Sequence, residues 1–444
     1  KGSYMLNDTI CVISTPLVEG AIGIVRMSGE KAIDIADEVF DKDLKKKKSH
    51  TVTYGHITDH KEIIDEVLVS LFRAPKTYTR EDVVEISCHG GVHIMRRILS
   101  LLIAHGARLA LPGEFTQRAY LNGRIDLSQA EAVNDLIRAD SDFQARAAIS
   151  QLNGSVARLL HPLTEEMLQV IAQIEVNIDY PEYEDIEQLT NALLLPSLKK
   201  WKTDLEEMIR QGENNRLLLR GIKTVIVGAP NVGKSSLLNA LLQQDKAIVT
   251  EIAGTTRDLV EGVCHLDELT LELIDTAGIH DTEDRIEKIG ITKSQEALDK
   301  ADLVILMYEA GKPFTEEDKE LLKQCQGKDP IIVFNKNDLA DDDRGITISA
   351  QKKEIEPLIR AIKEKYAAKM IINGDVLNNE RQIGLTRSAL KSVENAMEEA
   401  ASGVEPDLIA VDIQAAYTSL KEILGEVSRE DLIDALFANF CLGK

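Results

Sequence analysis

No stretch of this sequence stays apolar for the ~18 residues that a membrane-spanning helix needs, and its N-terminus carries no apolar core of the secretory-signal type. The expectation is a cytoplasmic protein with no membrane partner. Cysteine is sparse and scattered: Cys11, Cys88, Cys264, Cys325 and Cys441 are odd in number, and none sits in a C-x-x-C pair. That excludes a disulfide scaffold and a cysteine zinc site, and fits a reducing compartment. Positive charge is in deficit, with 52 Lys and Arg against 74 Asp and Glu for a formal net charge of -22. Long-range repulsion therefore excludes a surface that coats nucleic acid and leaves only a local basic patch. No internal repeat is visible, and the runs Lys45–Lys48 and Asp341–Asp343 read as solvated loops.

What is present suffices for several cores. Hydrophobic residues make up 44% and charged residues 28% of the 444, ordinary for globular protein, and that length corresponds to about three domains. From Thr9 to about Leu121 short alternating stretches (Val67, Val69, Leu71; Val84, Ile86, Cys88) between Gly and Pro turns predict strands, with one helical segment, His93 to His105, ending at Gly106. From about Ile125 to Arg216 the period turns helical, as in Met167, Ile171, Ile174 and Ile178 on one face. The runs Lys223–Val227, Leu269–Ile274, Leu303–Met307 and Ile331–Phe334 then alternate with helices, predicting a parallel α/β sheet covered on both faces. After about Asn379 the helical period resumes (Ile409, Ile413, Ala416, Leu420, Leu424). The fold class expected is multidomain α/β: an α+β N-terminal domain over residues 1–121, an all-α domain split between 122–218 and 380–444, and an inserted α/β domain over 219–379.

That insert carries a nucleotide signature. Gly228-Ala229-Pro230-Asn231-Val232-Gly233-Lys234-Ser235 fits G-x-x-x-x-G-K-[ST] between a strand and the helical Ser236–Leu242, so backbone N–H groups can curl around a β-phosphate at a helix N-terminus. Lys234 can neutralise β/γ oxygens, and the Ser235 hydroxyl can ligate Mg²⁺. Asp275-Thr276-Ala277-Gly278 ends a strand where the metal and γ-phosphate should lie. Asn335-Lys336-Asn337-Asp338 ends another. A carboxylate at Asp338 can accept from the N1–H and amine of guanine, a donor pair that adenine lacks, so the ligand is expected to be GTP. Ser349-Ala350 fits a second guanine-contacting loop, and by itself reads equally as a helix cap before Gln351. Between these lies Thr250-Glu251-Ile252-Ala253-Gly254-Thr255-Thr256, in which Thr256 is the candidate to complete Mg²⁺ ligation in the GTP state. The set resembles the Ras-like superfamily of translation-factor-related GTPases.

One departure is informative. After D-T-A-G, where Ras has a water-positioning Gln, stands Ile279, which can orient nothing, and Glu283, Asp284 and Glu287 are the carboxylates that follow. Arg257 and Arg285 give no assignable arginine finger. Asn231 offers a carbonyl where a monovalent cation could supply the missing positive charge; read alone it is a turn-forming Asn.

The rest of the chain resembles the tRNA-modification GTPase family known as MnmE or TrmE. The resemblance rests on Ala21 to Gly29 (AIGIVRMSG), Glu85 to Gly91 (EISCHGG), Pro112 to Leu127 (PGEFTQRAYLNGRIDL) and the ending Phe440 to Lys444 (FCLGK), and covers essentially the whole chain. It implies a folate-binding-like N-terminal domain that makes a homodimer and takes a tetrahydrofolate one-carbon donor, 5-formyl or 5,10-methylene. It also implies a flavoprotein partner of the MnmG type, carrying FAD, and a carboxymethylaminomethyl-type group placed on carbon 5 of the wobble uridine of tRNA. Arg26, Glu85, Arg124 and Lys444 are then the folate-contacting positions, Arg124 standing where some relatives carry Lys. GTP hydrolysis would be potassium-stimulated, with K⁺ held by Asn231 and the backbone at Thr250, Ile252 and Thr255. Glu287 would be the catalytic carboxylate and Cys441 a catalytic thiol. The alternative is a GTP-controlled switch on RNA or the ribosome, against which the absence of a basic appended module counts.

Overall fold

The structure, a computed structural model, describes residues 8–60, 62–179, 190–244, 260–274, 298–367, 374–427, 433, 436–438, 440 and 441. Two compact units divide the chain, one of residues 1–138, 151–172 and 414–444, the other of residues 139–150 and 173–413.

The first unit is built on six strands, β1 (Ile10–Ile13), β2 (Ile22–Ser28), β3 (Thr51–Asp59), β4 (Glu62–Phe72), β5 (Val83–His89) and β6 (Arg108–Leu109), in the order β3-β4-β5-β2-β1-β6. All pairs are antiparallel except β1 with β6. Period-two alternation sends Val67, Val69 and Leu71 of β4 and Val84, Ile86 and Cys88 of β5 into one core. Helices α1 (Ala32–Val39) and α2 (Val92–Ala104) supply its other wall through Ile33, Ile35, Met95 and Ile98. The helices cover one face, so the intervening residues Arg26, Glu85 and Leu68 stand on the opposite face.

Two helices here escaped the sequence reading, which named only the segment at His93. Both α1 and α3 (Glu114–Leu121) have eight residues, a length that gains little from propensity and is held by packing. At the start of α3, Gly113 adopts a left-handed φ of 70°, and a Cβ there would lie 2.7 Å from the Phe437 carbonyl oxygen, so the position requires Gly on two counts. Next to it Arg118, 4% exposed at its side chain, donates to Asp8 Oδ1 at 2.5 Å, Glu81 Oε1 at 3.1 Å and Glu114 Oε1 at 3.1 Å. Arg108 closes the network by donating to Glu114 Oε1 at 2.5 Å. Helix α4 (Leu127–Arg138) follows.

The second unit carries the sheet β12-β11-β10-β7-β9-β8, with β7 (Ile222–Gly228), β8 (Val260–Leu266), β9 (Leu269–Ile274), β10 (Leu303–Glu309), β11 (Ile331–Asn335) and β12 (Ile346–Ile348). The four strands expected from sequence fall within a residue or two of these bounds, and apolar clusters lie on both faces. The expectation of a wholly parallel sheet needs one correction: β8 runs antiparallel to β9 at the edge, paired through a tight turn at Asp267 that the apolar-run reading did not mark. Helices α5 (Asp142–Leu152), α6 (Ser155–Asp179) and α7 (Asn191–Arg220) precede the sheet, and α8 (Lys234–Gln244), α9 (Glu316–Cys325) and α10 (Glu356–Ala367) belong to it. After it come α11 (Glu380–Ala401), whose N-cap Asn379 accepts from the Gln382 N–H, and α12 (Pro406–Ile423). Helix α11 packs along α7, where a Cβ on Gly212 would come within 3.0 Å of Leu377. Met167, Ile171 and Ile174 are buried as their spacing predicts, whereas Ile178, in the last turn of α6, is 53% exposed.

Removing Arg118 would leave Glu81, 14% exposed, a desolvated carboxylate without its cation, and Glu114, 3% exposed, with Arg108 alone. Arg118→Ala is expected to cost about 3–5 kcal/mol of the first unit's stability, read as a lowered urea midpoint by circular dichroism. An unchanged midpoint would show that the network contributes nothing net.

Candidate functional sites

The nucleotide loop lies at the carboxyl edge of the second unit's sheet, where β7 ends and α8 begins. Its turn is made by two residues of positive φ, Asn231 at 64° and Gly233 at 104°. A Cβ on Gly233 would meet Asn335 Nδ2 at 2.2 Å, so glycine is demanded by the side chain crossing above it. Asn335 is 3% exposed, and its carboxamide works in both directions: Nδ2 donates to the Val232 carbonyl at 2.7 Å, and Oδ1 accepts from the Ala350 N–H at 2.9 Å. One amide therefore ties the phosphate loop to the two loops expected to read the base. Ser349 Oγ donates to Asp338 Oδ1 at 2.7 Å, which holds that carboxyl below the usual range and fixes its direction. Ser349 and Ala350 thus brace the N-K-N-D loop; they cap no helix, since α10 starts only at Glu356.

Lys234 Nζ donates to the carbonyls of Gly228 at 2.9 Å and Ala229 at 3.1 Å, and burial lowers its pKa, disfavouring the charge more than the attraction of Glu317 favours it. Phosphate oxygens would relieve that. Lys336, at a φ of 68°, turns its ammonium to Glu309 at 3.1 Å. Ser235, Ser236 and Asn231 are exposed on the same edge. The Ser235 hydroxyl is a hard oxygen donor of the kind Mg²⁺ accepts alongside phosphates, and among the described residues no group of three or more His, Cys, Asp or Glu offers a self-sufficient metal cage. Thr250, Glu251, Ile252, Ala253, Gly254, Thr255 and Thr256, together with Asp275, Thr276, Ala277, Gly278 and Glu287, lie outside the described residues.

A second site occupies the first unit. A cavity of about 1290 Å³ opens above the uncovered sheet face. Arg26 and Glu85 face each other across β2 and β5, and Arg26 Nε donates to Glu85 Oε1 at 2.8 Å. Two aromatic rings to which the sequence reading gave no role hold the cations: the Arg26 guanidinium lies 5.8 Å from the centroid of Phe115, and that of Arg124 lies 5.2 Å from Tyr78. Tyr78 is fixed by a 2.9 Å hydrogen bond with Thr116 Oγ1. Phe115 and Thr116 fall inside the quoted run Pro112 to Leu127; for Tyr78 nothing local could have served. Arg26, Glu85 and Arg124 therefore line one cavity. Cys441 is half-buried, its carbonyl accepting from the Gly113 N–H at 3.3 Å, and it does not line that cavity. Lys444 is outside the described residues.

Comparison with known proteins decides what these sites belong to. Residues 9–124 match the family model described as the GTP-binding protein TrmE N-terminus, and residues 127–441 match that of the MnmE helical domain. The tRNA modification GTPase MnmE of Streptococcus thermophilus is 49% identical, with 98% of both chains covered. The chain belongs to the tRNA modification GTPase MnmE family. Relatives of the same name in Lactococcus lactis, 47% identical over 98% of each chain, and Bacillus cytotoxicus, 46% identical over 98% of this chain and 99% of that one, agree. Its MnmE-family architecture joins a TrmE N-terminal domain, a helical domain and a G domain, and no described helix is long and apolar enough to cross a membrane.

With Asp338 braced by Ser349, Asp338→Asn is expected to weaken GTP roughly tenfold or more and to improve xanthosine triphosphate, whose C2 carbonyl accepts where guanine donates. Fluorescent-nucleotide titration checks this; an unchanged GTP affinity would remove Asp338 from the base pocket.

Proposed function

We propose that this MnmE-family GTPase is potassium-stimulated and acts with an FAD-carrying flavoprotein of the MnmG type. Together they place a carboxymethylaminomethyl-type group on carbon 5 of the tRNA wobble uridine, taking the carbon from a tetrahydrofolate derivative, in the cytoplasm. The observation that carries the folate part is the cross-strand Arg26–Glu85 pair set in a large cavity beside Phe115, Tyr78 and Arg124. Glu85 can accept from the amino and ring N–H groups of a pterin, while the arginines suit carboxylates. When bound, the folate supplies the one-carbon unit; the protein's residues orient it and shield it from water.

The homodimer is supported by the sheet face opposite α1 and α2, where Val52 and Tyr54 of β3, Leu68 of β4 and Ile22 of β2 are 47–66% exposed, apolar surface that a second copy would cover. In the G domain, Ser235 and Thr256 would hold Mg²⁺, which neutralises phosphate charge. Asn231, with the backbone at Thr250, Ile252 and Thr255, would hold K⁺. The exposed, left-handed Asn231 fits that role, because its short side chain carries a carbonyl oxygen on the phosphate loop itself. Glu287 would orient the attacking water in place of the Gln that Ile279 displaces, and Cys441 is proposed as a reactive thiol.

Two measurements test this reading. GTP turnover should be faster in KCl than in NaCl at equal ionic strength. Asn231→Ala should erase that difference, and Glu287→Ala should depress turnover with nucleotide affinity nearly intact. Equal parental rates in the two salts would refute the cation role. Calorimetry with 5-formyltetrahydrofolate should show at least tenfold weaker binding by Glu85→Ala, given about 1.5–3 kcal/mol for a hydrogen bond to a charged group. Parental affinity in both Glu85→Ala and Arg26→Ala would refute the folate assignment.

A further inference from the structure

We propose that the cavity of the first unit takes an oligo-γ-glutamyl form of the reduced folate, its added carboxylates running along Arg124, Arg80 and Lys76. The inference rests on the folate reading above and names the form of that ligand. The charge of the cavity wall is opposite to that of the chain. Against a net charge of -22 overall, the lining holds Arg26, Lys76, Arg80 and Arg124, with Glu85 as its single carboxylate. Glu85 is already engaged by Arg26 at 2.7 Å, which leaves three cationic side chains facing the cavity with no carboxylate among its lining residues to answer them.

Those three line the cavity from two segments that are hydrogen-bonded to each other. The Arg124 guanidinium rests on Tyr78. Arg80 Nη1 donates to the Asn122 carbonyl at 2.8 Å and lies 3.5 Å from where a Cβ on Gly123 would stand, so its guanidinium sits against the turn that presents Arg124. Asn122 Nδ2 returns a 2.6 Å bond to the Thr79 carbonyl, which fastens this turn to the Lys76–Arg80 loop. Lys76 lines the cavity from the same loop, two residues before Tyr78, and is exposed. The volume agrees. About 1290 Å³ exceeds the roughly 300–1,000 Å³ in which pockets commonly hold a drug-sized ligand. A folate with a single glutamate brings two carboxylates, fewer than the cations of the rim, and each γ-linked residue adds one more. Because Lys76, Arg80 and Arg124 are exposed, each contact is modest and screened by salt, so the preference should grow with tail length and fade with ionic strength.

The test is calorimetry on the full chain at low ionic strength, with 5-formyltetrahydrofolate as the monoglutamate and as the tri-γ-glutamate. The triglutamate should bind about tenfold more tightly or better, and the ratio should fall toward one in Lys76→Gln, in Arg80→Gln and on adding salt. Lys319→Gln, an equal charge change on α9, should keep the parental ratio. Equal affinity of the two forms for the parent overturns the proposal while leaving the folate reading standing, and returns the rim to another anion such as RNA phosphate. A ratio unchanged in both Lys76→Gln and Arg80→Gln overturns it as well. If neither form binds, the folate reading falls and this inference with it.

Discussion

The carboxamide of Asn335 is the constraint on which the nucleotide edge depends. Parallel strands deliver their loops to the same edge, where backbone donors and acceptors leave the sheet without partners. A buried polar group left unmatched costs about 1–3 kcal/mol, and Asn335, 3% exposed, satisfies one group on each side of itself. The consequences run outward. Gly233 can carry no side chain because the amide passes over it, and the N–H of Ala350 is held where Ser349 reaches Asp338. Phosphate loop and base loops are thus parts of one hydrogen-bonded assembly, and loosening either would misplace both.

In the first unit the corresponding constraint is that α1 and α2 cover only one face of a mainly antiparallel sheet. With α1 and α2 on one face, every second residue of β2 and β5 is turned to the other, and antiparallel register sets Arg26 directly opposite Glu85. Their side chains are only 21% and 25% exposed. At that depth Coulomb attraction and desolvation offset each other closely, so the pair does little to hold the fold. It presents a fixed donor and acceptor set instead, kept in direction by the packing of Arg26 against Phe115. The buried network around Arg118 secures the elements that carry Phe115 and Tyr78 without entering the cavity.

The sequence by itself determined what depends on near neighbours. The α/β alternation, the strand–loop–helix context of Gly228 to Ser235 and the N-K-N-D segment at a strand end were all legible, because periodicity and turn chemistry act within a dozen residues. The same holds for the buried stripe Ile409, Ile413, Ala416, Leu420 and Leu424. Local rules failed where burial depended on what stood opposite: Ile178 keeps the helical spacing yet meets solvent, and the short α1 and α3 exist only because a core receives them. Only the tertiary structure decided which residues share a site. Tyr78 reaches Thr116 across 38 positions, Arg26 reaches Glu85 across 59, and Asn335 reaches Val232 across 103. Strand register and packing set such distances, and neither is written in the spacing of residues along the chain.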